Sequence, residues 1–344
     1  MLLMNRRYPL LLFAIILALG LTPAYGAEEP PSTSRQMAEN FNQAYTSGDY
    51  VEAIRWGLAL EENQPGQPRH QYNLACVYAL VGNDQTAITW LRRSAKNGFR
   101  RVTTIEKDSD LKILWDHPLW AEILAAVRTN AQSYGQIVRQ AFSQSPPNVS
   151  LPPNHEPEIP APLIIALHGY GGRPGGYPTF WGPSARRIGA ILAIPHGLQP
   201  HVGGFFWGDL EEAEMLVQLT IKYVKQTHLI DESRIVLTGF SQGGFMAMAI
   251  GARNPDIFAG IIPMAGGYIR AIDFPPPVPP GAPRYFFMVG SQDRGKPHCL
   301  KAAEDFETAG YTVDLRVYPG VGHTFPRFPD RELGKALKFV LEDR

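Results

Sequence analysis

Gly239-Phe240-Ser241-Gln242-Gly243 stands between an apolar run, Arg234 to Phe240, and a stretch with helical periodicity, Gln242 to Arg253. A G-x-S-x-G sequence at a strand-to-helix turn holds its serine on a sharp bend, with the hydroxyl presented for nucleophilic attack. Side chains at the two glycine positions would clash between strand and helix, and the helix N-terminus turns free N–H groups toward developing negative charge. Outside that setting the five residues would be an ordinary Gly/Ser turn. A serine at its normal pKa needs a base, and the base needs an acid to orient it. Asp293 comes just after the apolar run Arg284–Val289, and His323 just after the run Thr312–Tyr318. The chain order Ser, acid, His is the one used with this type of turn. Other candidates are placed less well. His228, His196 and His201 precede the serine, His298 follows no strand-like run, Asp314 falls within a strand and Asp305 on a helix. The expected catalytic set is therefore Ser241, His323 and Asp293.

An oxyanion hole needs two backbone N–H groups. One is expected from Gln242, the residue after the nucleophile. The other is expected from Tyr170, in the loop His168-Gly169-Tyr170-Gly171-Gly172, whose glycines allow close backbone approach. That loop fails as a phosphate cradle, because Pro174 stands where the last glycine of G-x-G-x-x-G would be and no acidic partner follows. The chain has no Walker A sequence, no H-E-x-x-H and no metal-ligand cluster, so neither a metal nor an organic cofactor is expected. Its two cysteines, Cys76 and Cys299, cannot form a disulfide framework.

The elements that must carry these residues alternate. Apolar runs at Leu163–Leu167, Ala190–Ile194, Arg234–Phe240, Phe258–Pro263 and Arg284–Val289, together with Thr312–Tyr318, read as strands. Helical stretches at Leu210–Gln226, Gln242–Arg253, Lys301–Ala309 and Arg331–Glu342 separate most of them. Continuous apolar strands alternating with helices imply a parallel sheet buried on both faces. Ligands in such sheets bind at the C-terminal strand ends, where the candidate residues lie.

Residues 37–130 differ in kind. Gly48, Ala53, Ile54 and Trp56 match Gly82, Ala87, Ile88 and Trp90, at a period of 34 residues. That period, with a turn glycine and a small residue five positions on, resembles the tetratricopeptide repeat. Asp110 to Arg128 is expected to supply a third hairpin whose last helix starts at Pro118, with Leu119, Ile123 and Val127 on one face. Such a unit either docks a protein or peptide or steadies its neighbour. Ser145 to Pro162 holds seven prolines in eighteen residues and reads as an extended linker, with the domain boundary near Ser143. At the other end, Arg6-Arg7, the apolar run Leu10–Leu21 and Ala24-Tyr25-Gly26 read as an export signal cut after Gly26. The apolar run is too short to span a bilayer. The expected organisation is a signal peptide over 1–26, a tetratricopeptide-like domain over 37–130, a Pro-rich linker over 144–162 and a catalytic domain over 163–344. The product would be periplasmic or extracellular, with no stable membrane insertion after cleavage.

The 344 residues carry 32 Lys+Arg and 32 Asp+Glu, with 44% hydrophobic residues. That is a globular composition, and the absence of a basic excess argues against nucleic-acid binding.

Residues 160–344 resemble an α/β-hydrolase, and within that fold the phospholipase/carboxylesterase family that includes acyl-protein thioesterases. The resemblance is carried by Leu167-His168-Gly169-Tyr170-Gly171-Gly172, by Thr238-Gly239-Phe240-Ser241-Gln242-Gly243-Gly244 and by Gly322-His323. Phe206-Trp207-Gly208-Asp209 is similar to the family's Trp-x-Asp segment, which implies that Trp207 borders the substrate pocket. The implied fold is a mostly parallel sheet flanked by helices, with a small all-α repeat domain before it. The implied reaction is hydrolysis of a small-molecule or polymeric ester through an acyl-enzyme. The export signal, the helical domain and the proline-rich insert Pro275–Pro283 depart from the family, and secreted polyester depolymerases and feruloyl esterases are similar in layout. Two other readings stay open: a serine peptidase of the oligopeptidase type, and a repeat-domain binding protein with a lapsed hydrolase. The complete Ser–Asp–His set argues against the last.

Overall fold

The computed structural model describes residues 33–173, 175, 178–267 and 275–342. The expected export signal, residues 1–26, lies outside the described residues, as does Pro174. The chain divides into two compact units at Arg128/Thr129.

In the first unit, helices α1 (Ser34–Ser47) and α2 (Tyr50–Asn63) are followed by α3 (Pro68–Leu80) and α4 (Asp84–Lys96). Each helix of the second pair starts 34 residues after its counterpart, Ser34 to Pro68 and Tyr50 to Asp84. Gly48 and Gly82 both close a first helix at φ +77°, a left-handed conformation that glycine adopts without a Cβ penalty. The side chains of Asp49 and Asn83 then cap the second helices, accepting from the backbone N–H groups of Glu52 and Thr86. Leu74, Ala75, Ala87, Ile88 and Leu91 are buried within this unit.

The region expected to form a third hairpin is less regular. A short helix α5 (Val102–Lys107) and a 3-10 turn (Ser109–Leu114) precede a long helix α6 (Trp120–Gln144). The Asp108 side chain accepts from the Asp110 N–H and opens the 3-10 turn, which breaks the first arm of the hairpin. Helix α6 does not stop near Arg128, because its apolar stripe continues through Tyr134, Val138 and Phe142. Val138 and Phe142 belong to the core of the second unit, so residues 129–144 are part of that unit and not of the helical one. The proline-rich stretch after it also adds to the sheet. Between Pro147 and Pro152, strand β1 (Asn148–Ser150) pairs antiparallel with β3 (Ile191–Ile194) at one sheet edge, where neighbouring prolines are tolerated.

The rest of the second unit follows the predicted alternation: β2 (Ala161–Leu167), α7 (Pro178–Arg187), β3, β4 (Gln199–His201), β5 (Gly204–Phe206), α8 (Leu210–Thr227), β6 (Ile230–Phe240), α9 (Gln242–Arg253), β7 (Gly260–Met264), β8 (Arg284–Gly290), α10 (Lys296–Thr308), β9 (Val313–Tyr318) and α11 (Pro329–Leu341). The sheet runs β1-β3-β2-β6-β7-β8-β9, parallel apart from β1, while β4 and β5 form a separate hairpin. Two apolar layers cover its faces. Leu163, Ile165 and Leu167 point into the layer built with α8, α9 and α10; Ile164 and Ala166 point into the layer built with α7 and α11. That alternation explains why the strands read as unbroken apolar runs. Helix α7 and the β4–β5 hairpin are additions to the predicted set. Pro183 inside α7, and the Gly203-Gly204 turn of the hairpin, masked both patterns. Among the described residues no helix is long and apolar enough to cross a membrane.

Candidate active site

Ser241 sits between the end of β6 and the start of α9, at φ 55° and ψ −117°. A non-glycine residue there costs on the order of 1–3 kcal/mol and persists only where its surroundings enforce it. The Ser241 N–H donates to the Met264 carbonyl of β7 at 2.8 Å, which fixes the bend from the neighbouring strand. The flanking glycines are required by contact. A Cβ on Gly239 would lie 2.3 Å from the Gly243 carbonyl oxygen, and a Cβ on Gly243 would lie 2.4 Å from that of Leu167. Strand, turn and helix can approach this closely only without side chains at both positions.

The loops after β8 and β9 bring the other two predicted residues to the serine. His323 Nε2 lies 2.9 Å from Ser241 Oγ, and His323 Nδ1 lies 2.8 Å from Asp293 Oδ2. The other Asp293 oxygen, Oδ1, accepts from the Gly295 N–H at 2.7 Å. The carboxylate is buried, whereas half of the His323 side chain is exposed. The two loops are tied together, with the Gln292 N–H donating to the Val321 carbonyl and the Gly320 N–H to Ser291 Oγ, both at 2.9 Å. Phe240 packs beside the imidazole at 5.1 Å and stacks on Phe325, which stacks on Phe180. Cys299 adjoins the carboxylate; burial, and then the Asp293 charge, push its thiol up to about 12, so it stays neutral. The arrangement can move a proton from the serine hydroxyl to His323 while Asp293 holds the Nδ1–H tautomer.

On the other side of Ser241 lies the His168–Gly172 loop. A Cβ on Gly169 would meet Ser241 Cβ at 3.3 Å, so the loop rests against the nucleophile. The Gly169 carbonyl accepts from the Gly172 N–H at 2.9 Å, closing a turn with Tyr170 at its apex. Among the described residues, neither the Tyr170 N–H nor the Gln242 N–H has an acceptor within the fold. The Tyr170 ring is exposed and packs against His201 and Phe206 of the hairpin.

The Trp207 side chain is fully buried. Its indole N–H donates to the His168 carbonyl at 2.8 Å, and its ring stacks on the His168 imidazole at 4.7 Å. Its backbone grips the Gln242 side chain, which accepts from the Trp207 N–H at 3.1 Å and donates to the Trp207 carbonyl at 2.8 Å. Trp207 thus braces the His168–Gly172 loop against the Gln242 side chain.

His168 has a part in this brace that the sequence reading left unassigned. Its Nε2 accepts from the Gly197 N–H at 3.0 Å, so the proton is on Nδ1, which donates to the Gly169 carbonyl at 2.8 Å. Burial lowers its pKa to about 4, and the ring is neutral. A histidine immediately before the loop glycine was the available signal.

Outside this centre, Cys76, Asp108 and Asp110 of the first unit bring ligand-type atoms within 4.8 Å of one another. Their hydrogen bonds are already made. Tyr72 donates to Asp108 at 2.6 Å, the Cys76 thiol donates to the same oxygen at 3.6 Å, and Tyr45 donates to Asp110. Burial raises the Cys76 pKa and keeps it a thiol.

Residues 209–341 match the family described as Phospholipase/Carboxylesterase. Poly(3-hydroxyalkanoate) depolymerase C of Paucimonas lemoignei is 27% identical over 188 residues, 52% of this chain and 43% of that protein. Probable feruloyl esterase C of Aspergillus oryzae is 29% identical over 133 residues, 36% of this chain and 47% of that protein. The chain thus spans about half the length of the curated relatives it matches. A crystal structure of a Bacillus cereus protein covers 91% of this chain and 100% of its own, at 18% identity and a TM-score of 0.46. With its largely parallel sheet between two helical layers, the second unit has the α/β-hydrolase fold, within which residues 209–341 are similar to the phospholipase/carboxylesterase family.

Proposed function

We propose that this protein is an exported serine hydrolase that cleaves carboxylic esters through Ser241, His323 and Asp293. The observation that carries the reading is the unbroken hydrogen-bonded line from a buried carboxylate through an imidazole to a serine on a strained turn. In the proposed mechanism Ser241 Oγ attacks the ester carbonyl as neutral His323 takes its proton at Nε2. Asp293 holds the imidazole through Nδ1–H and stabilises the imidazolium. The Gln242 and Tyr170 N–H groups receive the oxyanion. His323 then protonates the leaving alcohol, and water releases the acid from the acyl-enzyme by the same steps in reverse roles. No step calls for a metal or organic cofactor.

The substrate is proposed to be a small-molecule or polymeric ester, in keeping with the depolymerase and feruloyl esterase names of the relatives. The first unit is proposed to be a tetratricopeptide-like pair able to dock a protein or peptide; the 34-residue recurrence of its helices and capping glycines supports this. Export rests on the sequence of residues 6–26, and the mature N-terminus is expected at Ala27 when the secreted product is read by mass spectrometry.

The test is turnover of nitrophenyl esters from short to long acyl chains, alongside labelling by a fluorophosphonate. Both should be present in the wild type and vanish in Ser241→Ala. Absence of both in the folded wild-type protein would overturn the reading.

A further inference from the structure

We propose that Glu212 is a positioning residue for the oxyanion hole: it holds one edge of the Trp207–Gly208 peptide while the Gln242 side chain holds the other. The inference rests on the ester-hydrolase reading, because it concerns the same site.

Glu212 lies in the first turn of α8 and is buried. A buried carboxylate is tolerated only when its lone pairs are filled. Among the described residues it has no cationic partner, and it is satisfied by four donors. Oε1 accepts from the backbone N–H groups of Gly208 at 3.1 Å and Leu198 at 3.3 Å. Oε2 accepts from the Gln199 amide at 2.9 Å and from the Tyr134 hydroxyl. These donors come from α6, from the base of the β4–β5 hairpin and from the turn leading into α8. Glu212 therefore gathers three separate chain segments at one point.

The consequence for the site runs through a single peptide plane. Gly208 N–H and Trp207 C=O belong to the same peptide group. The first donates to Glu212, and the second accepts from Gln242 Nε2 at 2.8 Å. Gln242 is anchored a second time, by the Trp207 N–H at 3.1 Å, so its side chain grips the backbone at two points. The Gln242 backbone N–H is one proposed oxyanion donor. The other, on Tyr170, lies two residues after His168, whose carbonyl accepts the Trp207 indole N–H at 2.8 Å. Both donors are thus referred to Trp207, and Glu212 determines where the Trp207–Gly208 peptide stands. Without the carboxylate that peptide is free to tilt, and the oxyanion donors lose their common reference. An oxyanion donor acts only within a narrow range of distance, so the loss falls on the transition state more than on substrate binding.

Glutamine should serve nearly as well. The Leu198 and Gly208 N–H groups cannot reverse, so a glutamine must give them its oxygen. Its NH2 then meets the Tyr134 hydroxyl and the Gln199 amide, both of which can turn to accept. An alanine offers nothing to any of the four.

The experiment uses the full-length protein, with Ser241-dependent ester turnover of the wild type measured first; its absence overturns the ester-hydrolase reading and this inference together. kcat is then expressed per active site, counted by the end point of fluorophosphonate labelling. In Glu212→Ala we expect kcat to fall about 10- to 100-fold with KM within about threefold. The inhibition constant of phenylboronic acid, whose tetrahedral serine adduct uses the same N–H groups, should rise by a similar factor. Glu212→Gln should recover kcat to within about threefold of wild type. Gln242→Ala breaks the same line, so combining it with Glu212→Ala should cost no more than the larger single change. A purely structural Glu212 would lower the melting temperature or the active fraction and leave kcat per active site unchanged; that result, or additive losses in the double variant, overturns the proposal while leaving the ester-hydrolase reading intact. If Glu212→Ala does not fold, Tyr134→Phe removes one donor and keeps the carboxylate. It should lower kcat about threefold, and not at all when Gln242 is already alanine. An unchanged kcat in Tyr134→Phe is then the overturning result.

Discussion

Replacing Asp293 with asparagine keeps the shape of the site and should nonetheless abolish most of its activity. Asp293 Oδ1 receives the Gly295 N–H at 2.7 Å, and Oδ2 faces His323 Nδ1 at 2.8 Å. An asparagine must choose which of its ends faces which partner. Directing its NH2 toward Gly295 would set two donors against each other in a buried position and leave the backbone N–H unsatisfied, at about 1–3 kcal/mol. The carboxyl group is 1% exposed, so water offers no relief. The asparagine oxygen therefore goes to Gly295 and its NH2 to His323. The imidazole must then accept at Nδ1 and carry its proton on Nε2, which faces Ser241 and can no longer act as a base. The charge that would stabilise the imidazolium is removed as well. Together these effects should cost about 10⁴-fold in kcat, or about 5.5 kcal/mol, with about 2 kcal/mol of it from the tautomer bias and the rest from the lost charge. The assay is steady-state hydrolysis of a short nitrophenyl ester, with melting temperature as the control for folding. A folded Asp293→Asn variant within tenfold of wild-type kcat would refute both the orientation argument and the role of Asp293.

Three further predictions concern the frame around the site. Ser241→Gly and Ser241→Ala both lack the hydroxyl, but only glycine fits φ 55° and ψ −117° without strain; urea denaturation should find the glycine variant more stable by about 1 kcal/mol, and equal stabilities would refute the strain. In Gly243→Ala the new Cβ would meet the Leu167 and His168 carbonyl oxygens at 2.4 and 2.5 Å; stability should fall by about 1–3 kcal/mol and ester turnover should be lost, whereas a neutral outcome would contradict the required close approach. His168, with its pKa lowered to about 4, binds fewer protons folded than unfolded between about pH 6.5 and pH 4. Its contribution is complete above about pH 6.5 and is lost as the pH falls toward 4, amounting to about 3 kcal/mol. Denaturation at pH 7.5 and pH 4.5 should show His168→Gln losing less stability than wild type on acidification, and identical losses would refute the buried neutral imidazole.

The catalytic candidates were readable in the chain because each depends on local chemistry at a strand end. Gly239 and Gly243 announce a turn that excludes side chains, Asp293 follows an apolar run buried on both sheet faces, and His323 follows the edge strand that pairs with it. The 34-residue recurrence in the first unit was readable for a similar reason, since Gly48 and Gly82 answer to backbone conformation alone. Elements whose pattern was blurred by proline or glycine, α7 and the β4–β5 hairpin, were not. Nor was the extent of α6, because a stripe at helical spacing says that a face is buried but not against what; Val138 and Phe142 find their partners in the second unit.

Trp207 shows where sequence ceases to decide. Its neighbours Gly208 and Asp209 mark a segment of interest, yet whether an indole faces a substrate or the interior depends on acceptors remote in the chain, here the His168 carbonyl. The same holds for Glu212, which by sequence is one acidic residue among several in an exposed-looking first turn. Only the fold brings Tyr134, Leu198, Gln199 and Gly208 to its carboxylate. The sequence by itself determined the residue types at strand ends and the alternation of elements, because backbone sterics and burial periodicity act over a few residues. The tertiary structure alone decided which polar groups meet in the interior, because a buried hydrogen bond is directional and short, and the partners of Glu212 lie up to 78 residues from it in the chain.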